Sequence, residues 1–399
     1  MELSYRLDKN RPKIKKQKFT MTKEVRESIY TLLFITIFGA FIYSMVSAMG
    51  AANFFSTLTK TAYSLLIDTA LYIVAVSVIM GALGSLLSDF GVVKILNMFF
   101  APLMKPLYNL PGASFLAMTT TYLSDNPAVI TLAKDQKFTK FFKEEQIPLL
   151  CNLGTAFGMG LILTSFMTGF GFFKEAMIGN LGAIIGSIIS VRIMTFIIKK
   201  KRYFENNKIE TAEVELFEND DKSIESDDSS FFLRFMTSML NGGKNGIEMS
   251  LAIIPGLLVV CTIVMLLTFG PNDPTLGYQG LAYEGIGLLP KVGDFLTPVL
   301  TPLFGFTSAE AIAFPVTSLG AVGAAISLVP KFLNLGLIGA NDIAVFTAMG
   351  MCWSGYLSTH VGMMDALNHK KLIAPAILSH TIGGLSAGIA ANLIFQLFA

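Results

Sequence analysis

Charge is what this 399-residue chain has least of: 15% of its residues are Asp, Glu, Lys or Arg, against about 25% in soluble globular proteins. With 53% hydrophobic side chains and a mean hydropathy of +0.60, that shortage excludes an ordinary soluble enzyme. A net charge of +2 offers no footing for nucleic acid. Cysteine is also scarce. Cys151, Cys261 and Cys352 lie in apolar stretches with no CxxC pair, so neither a disulfide framework nor a metal site is expected. No Walker A loop, HExxH or GxSxG occurs. Their absence argues against catalysis and against an ATP-driven pump. The chain is read as no enzyme and as needing no cofactor beyond a coupling ion, sodium or proton.

What the chain does have is long uncharged runs. Leu32–Met49 contains no Asp, Glu, Lys, Arg or His, and a spanning helix needs about 20 mainly apolar residues. Complete spans are read at 28–49, 64–87, 147–169, 176–198, 248–269, 343–366 and 372–397. The first exceeds the roughly 7–15 residues of a signal core, so it is read as retained.

Basic residues mark the cytoplasmic side of short flanks. Nine of them, from Arg6 to Arg26, precede the first span. Lys134, Lys137, Lys140 and Lys143 fall on the same side once crossings are counted, as do Lys199-Lys200-Lys201-Arg202 and His369-Lys370-Lys371. This places the N-terminus on the cytoplasmic side of the membrane and the C-terminus outside. Between Glu205 and Asp228 lie ten of the 28 acidic residues, in a polar stretch, 203–230, that reads as a linker.

Two apolar stretches, 90–133 and 286–331, are interrupted by proline and glycine. An interior proline costs a helix about 3 kcal/mol, and broken backbone at membrane depth survives only where protein or a water-filled cavity surrounds it. Both stretches are read as hairpins broken at Pro102, Pro106, Pro111, Pro127, Pro298, Pro302 and Pro315. Two full crossings each would preserve the same topology.

Sliding the chain by 196 residues superposes Pro102-Leu-Met-Lys-Pro106 on Pro298-Val-Leu-Thr-Pro302. Ala113, Thr121, Ile147, Gly154 and Met167 meet identical residues at that offset. Crossing counts make the repeats inverted. The expected fold is therefore an all-α polytopic membrane protein: an inverted repeat with two proline-broken, re-entrant helical hairpins and about seven full spans. The parts are a basic cytoplasmic segment (1–27), a first span with outer loop (28–63), repeat one (64–198), a polar cytoplasmic linker (199–247) and repeat two (248–399). Inverted repeats with discontinuous segments at matching positions point to a secondary transporter with its site between the repeats.

Polar residues inside such segments are the site candidates. In hairpin one, Thr119-Thr120-Thr121 precedes Ser124, Asp125 and Asn126. Asp125 and Ser124 suit a coupling ion and Asn126 a polar solute, or the group is only a cap and turn. In hairpin two, Ser308 and Glu310 begin a helix and Thr317 follows Pro315; Glu310 is the carboxylate singled out. Asn152 and Thr155 in one repeat, and Trp353, Ser354 and His360 in the other, follow the hairpins. Trp353 either stacks on a planar solute or fills the core. His360 and His380 titrate near neutrality, as proton carriers or as structural side chains. Arg192 snorkels and has no site role.

The layout over about 64–397 resembles bacterial inner-membrane proteins with a nucleoside-recognition, or Gate, domain, which are similar in architecture to concentrative nucleoside transporters. Two sequences carry the resemblance: Pro102 to Asp125-Asn126-Pro127-Ala128, and Pro298 to Ser308-Ala309-Glu310-Ala311. It implies two re-entrant hairpins whose tips meet unwound helices around a solute moved with sodium or protons. Nucleoside carriers present Gln-Thr/Ser-Glu-Ala-Pro in their first hairpin; here Thr307-Ser308-Ala309-Glu310-Ala311 lacks the glutamine and lies in the second. The function expected is secondary transport of a small polar solute that is nucleoside-like, an amino acid or peptide-like. The alternatives are a non-transporting membrane scaffold or assembly subunit and, less favoured, a passive channel. Expected partners are lipid, the solute, and either further copies of the chain or a partner membrane subunit.

Overall fold

A computed structural model describes residues 23–134, 136–201, 203–204 and 230–398. Most of the basic segment 1–27 and of the polar stretch 203–230 lies outside the described residues. The described chain is helical, with one isolated bridge, Asp273 to Gly277, and no strand. In order come α1 (Lys23–Met49), α2 (Ala51–Asp89), α3 (Val92–Tyr108), α4 (Ser114–Leu123), α5 (Pro127–Lys134), α6 (Ile147–Thr155), α7 (Gly160–Gly169), α8 (Phe173–Lys200) and α9 (Phe231–Thr268). There follow α10 (Leu288–Phe304), α11 (Ala313–Ser318), α12 (Val322–Ile326), α13 (Leu328–Asn334), α14 (Ala340–Cys352), α15 (Tyr356–Ala366) and α16 (Ile373–Phe398).

Among the described residues, five helices are long and apolar enough to cross a membrane, or up to seven if each bent pair is one span. Six expected spans fall on these helices or on α9. The span expected at 343–366 does not, because α14 and α15 are two short helices parted at Trp353–Gly355, where Gly355 takes a left-handed φ of 60°. The outer loop expected before 64 is also corrected. It is the first part of α2, held to the loop after α9 by Asn53 on Tyr278 O (2.9 Å) and Ser56 on Gly280 O (2.8 Å). In that loop the Asp273 carboxylate accepts from the Thr275 hydroxyl and N–H, which holds its pKa below the usual range.

Each expected hairpin is two structures. Pro102 and Pro106 lie inside the unbroken α3, and Pro298 and Pro302 inside the unbroken α10. The four-residue spacing puts both prolines on one face, so the missing N–H groups share one edge. Left-handed residues end these helices instead: Asn109 after α3 and Gly305 after α10. Arg192 adds to the first stop, donating to the carbonyls of Pro106 and, at 2.8 Å, of Leu107. The hairpins proper are α4–α5 and α11–α13, and the latter's first turn bends 78° away from α10.

The 196-residue offset is written in the backbone. α3 and α10 begin and end in register, each preceded by a left-handed glycine, Gly91 and Gly287. The breaks after α6 and α14 carry left-handed Met159 and Gly355, again in register. Gln146 and Asp342, equivalent by the offset, both accept from the backbone three residues earlier, Lys143 N at 3.0 Å and Gly339 N at 2.9 Å.

Equivalent long helices pair antiparallel, as inverted repeats require. Gly182 and Gly186 of α8 lie against Ala387, Ala391 and the Gly383 carbonyl of α16, where no Cβ fits. α14 packs on both, and its residues from Asp342 to Cys352 are buried. Gly81 of α2 lies against Gly242 and Gly246 of α9 in the same manner.

Candidate functional site

Four interruptions of helix meet: the tip of hairpin one (124–126), the tip of hairpin two (319–321), the break 156–159 and the break 353–355. Asn126 is the link. Its side-chain amide donates to Ser354 O at 2.5 Å, while a Cβ on Gly158 would overlap its other end. Its Oδ1 is buried and has no hydrogen-bond partner within the protein. Gly355 N donates to Ser318 O at 3.1 Å, joining the second tip to the second break. Glycine is required there, since Gly355 is left-handed and a Cβ would come 3.0 Å from Gly320 O.

Of the sequence candidates, the structure brings Ser124, Asp125, Asn126 and Ser354 together. Asp125 turns inward on its own tip, accepting from Asn126 N at 2.7 Å. Ser124 and the hydroxyls of Thr119, Thr120 and Thr121 bond back to carbonyls of α4, and Thr317 does so to Ala313 O at 2.7 Å. These hydroxyls offer a ligand lone pairs rather than protons.

Asn152, His360 and His380 fall in a second, fully buried cluster. Asn152 donates to Ser190 Oγ and Ser379 Oγ, each at 2.9 Å. Ser190 Oγ meets His380 Nδ1 at 3.1 Å, and His380 Nε2 meets Cys352 O at 2.5 Å. A carbonyl partner assigns the proton to Nε2, so Nδ1 accepts from Ser190. By the same argument His360 donates from Nδ1 to Tyr356 O at 3.0 Å, leaving Nε2 buried without a partner. The two imidazoles lie 4.6 Å apart. Thr155 reaches Met363 Sδ at 3.8 Å. Trp353 stacks on Tyr356 with centroids 6.2 Å apart and abuts Gly384, so its ring packs on this chain.

Ser308 and Glu310 are not at a tip. They sit at the base of hairpin two, where Ala309 backs onto Gly293 of α10. A carboxylate the sequence reading missed is Asp342, which is buried and accepts from Thr307 N at 3.0 Å, from the Thr307 hydroxyl and from Gly339 N. Its offset partner Gln146 was the available signal.

A cavity of about 570 Å³ lies between the α2–α9 pair and hairpin one. Ser77, Ser85 and Gly81 come from α2, Asn245 and Gly246 from α9, Lys94 and Asn97 from α3, Thr120 and Ser124 from α4. Ser77 Oγ and Asn97 Oδ1 have no partner within the protein. Sequence reasoning missed this wall, although Ser77, Ser85 and Asn97 stand out as polar residues in apolar stretches. An apolar cavity of about 310 Å³, with Tyr122 and Asn180 in its lining, lies against the same hairpin. Among the described residues, no group of three or more His, Cys, Asp or Glu is placed to hold a metal.

The arrangement matches a solved one. CNTnw in an inward-facing, substrate-bound state aligns with a TM-score of 0.55 over 94% of this chain and 87% of that one, at 13% identity. The fold is that of a concentrative nucleoside transporter. A CNTnw double variant in an outward-facing state gives 0.54 at 12% identity over 95% of this chain and 87% of that one. A variant in an intermediate state gives 0.55 at 13% over 94% and 86%. The chain matches no protein-family model and no curated protein sequence.

Proposed function

We propose that this multi-pass membrane protein is a secondary active transporter of a small polar organic solute, coupled to sodium or protons and working by alternating access. The observation that carries the reading is the cavity beside the hairpin-one tip, bounded on one side by α2–α9 and on the other by α3 and α4, with Ser77, Asn97, Thr120 and Ser124 among its lining residues. A cavity with unpartnered polar atoms between two bodies suits a carrier, in which solute and ion favour one arrangement of the bodies over another. The shared fold supports it, since CNTnw is solved in inward-facing, outward-facing and intermediate states.

Ser124, which lines the cavity, and Asp125, Asn126 and Ser354, which adjoin it at the meeting helix breaks, are the proposed contact set, with Asp125 and Ser124 on the ion. Asn152, Thr155 and His360 support it from the buried cluster, while Ser308 and Glu310 steady hairpin two at its base. The lysine-rich flanks support a cytoplasmic N-terminus, and the resemblance to bacterial inner-membrane carriers is what suggests a bacterial cytoplasmic membrane. The test is uptake into proteoliposomes under an imposed sodium or proton gradient. Gradient-dependent uptake that is lost in Asn126→Ala is the expected result. No uptake of any solute under either gradient would favour a membrane scaffold.

A further inference from the structure

Resting on the transporter reading, the cavity walls go further and name the charge of the solute. We infer that the cavity between α2–α9 and hairpin one recognises a small organic anion, a carboxylate that also carries an amine or hydroxyl donor.

Lys94 is the charged side chain in the lining, and the lining includes no Asp or Glu. Lys94 makes no ion pair with a described residue and is exposed where it lines the cavity, so a cation stands there without a counter-charge. The backbone adds to it. α3 starts at left-handed Gly91, and its first main-chain bond runs from Ile95 N to Gly91 O. The N–H groups of Val92, Val93 and Lys94 therefore have no carbonyl of their own helix, and Val93 and Lys94 line the cavity.

A third observation is independent of charge. The Ser77 side chain is completely buried and its hydroxyl has no partner within the protein. That unpartnered hydroxyl lies within the opposite wall of the cavity. Asn97 Oδ1, one turn along α3 from Lys94, is an unpartnered acceptor. One wall thus supplies a cation and N–H donors for a carboxylate, and Asn97 accepts from an amine or hydroxyl beside it. A nucleoside is uncharged at neutral pH and leaves Lys94 without a counter-charge. Leu116, Leu123 and Ile162 complete the lining with apolar surface, which suits the carbon part of a small organic anion.

The experiment is thermal stabilisation of the purified full-length protein by L-serine and L-lactate, by their amides, by uridine, and by phosphatidylglycerol in mixed micelles. Stabilisation by the carboxylates but not the amides is expected. Lys94→Gln then needs about tenfold more carboxylate for the same shift, and Lys94→Arg restores it. Each variant's ligand-free melting temperature shows whether it folds. Stabilisation by uridine alone overturns the inference and leaves the transporter reading standing. Stabilisation by the anionic lipid alone also overturns it, as does an unchanged response in Lys94→Gln. No shift with any compound, together with no gradient-driven uptake, removes both.

Discussion

The α8–α14–α16 body and the α2–α9 pair use one device to opposite ends. In both, glycine lets a backbone touch a backbone: Gly186 on Gly383 and Ala387, Gly81 on Gly242 and Gly246. In the first the approach closes around a polar network in which Asn152, Ser190, Ser379 and His380 bond one another. In the second it stiffens a wall that faces a cavity, with Ser77 and Asn97 unpartnered beside it. Within the body Asn152 Nδ2 and both ring nitrogens of His380 are matched while His360 Nε2 is not, and at the α2–α9 wall Ser77 Oγ stays open. On the transporter reading, that contrast marks the α2–α9 boundary as the seam along which the proposed alternating access runs.

Breaking the dense body produces the largest effect. Gly182→Leu drives a side chain into Ala348, Ala391 and the Ala387 carbonyl. A loss above about 3 kcal/mol is expected, read as failure to recover monodisperse protein. Gly246→Ala meets backbone of α2 at Ser77 and Val78. It should cost about 1–3 kcal/mol and lower the melting temperature without abolishing folding. Asn152→Leu removes the amide that three acceptors share. It should cost about 1–2 kcal/mol in the same assay, whether or not solute is present.

The seam should answer differently. Asn126→Ala loses one hydrogen bond, worth about 1 kcal/mol, yet it removes the link between hairpin one and the second break. Melting should shift by a few degrees while gradient-driven uptake falls at least about tenfold; a large melting shift with unchanged uptake would place Asn126 in the structure alone. Smallest is Arg192→Gln, an exposed cap on α3, expected within about 1 kcal/mol of wild type.

Much of this was legible in the chain. The repeat offset predicted from Pro102/Pro106 and Pro298/Pro302 reappears in the register of α3 with α10 and in the left-handed pair Met159 and Gly355. The prolines misplaced the breaks, because a pair four apart is absorbed on one face of a helix, whereas the breaks depend on φ at Asn109 and Gly305. Asn126 and Ser354 were nameable as polar residues in apolar runs, but a hydrogen bond spanning 228 positions is invisible to local pattern. The cavity wall was missed for a related reason: Ser77 and Asn97 read as ordinary helix residues until α2, α3 and α9 are brought together.

The most direct test of the seam is distance measurement between spin labels, in a background where Cys151, Cys261 and Cys352 are replaced. One pair crosses the seam, at exposed Val259 of α9 and Leu378 of α16; the control pair, Met177 of α8 and Leu378, lies within the dense body. The account predicts that the first distance distribution shifts or splits when solute and coupling ion are added while the second stays single and fixed. A seam distance that stays single and unmoved under every solute and ion that stabilises the protein would contradict it.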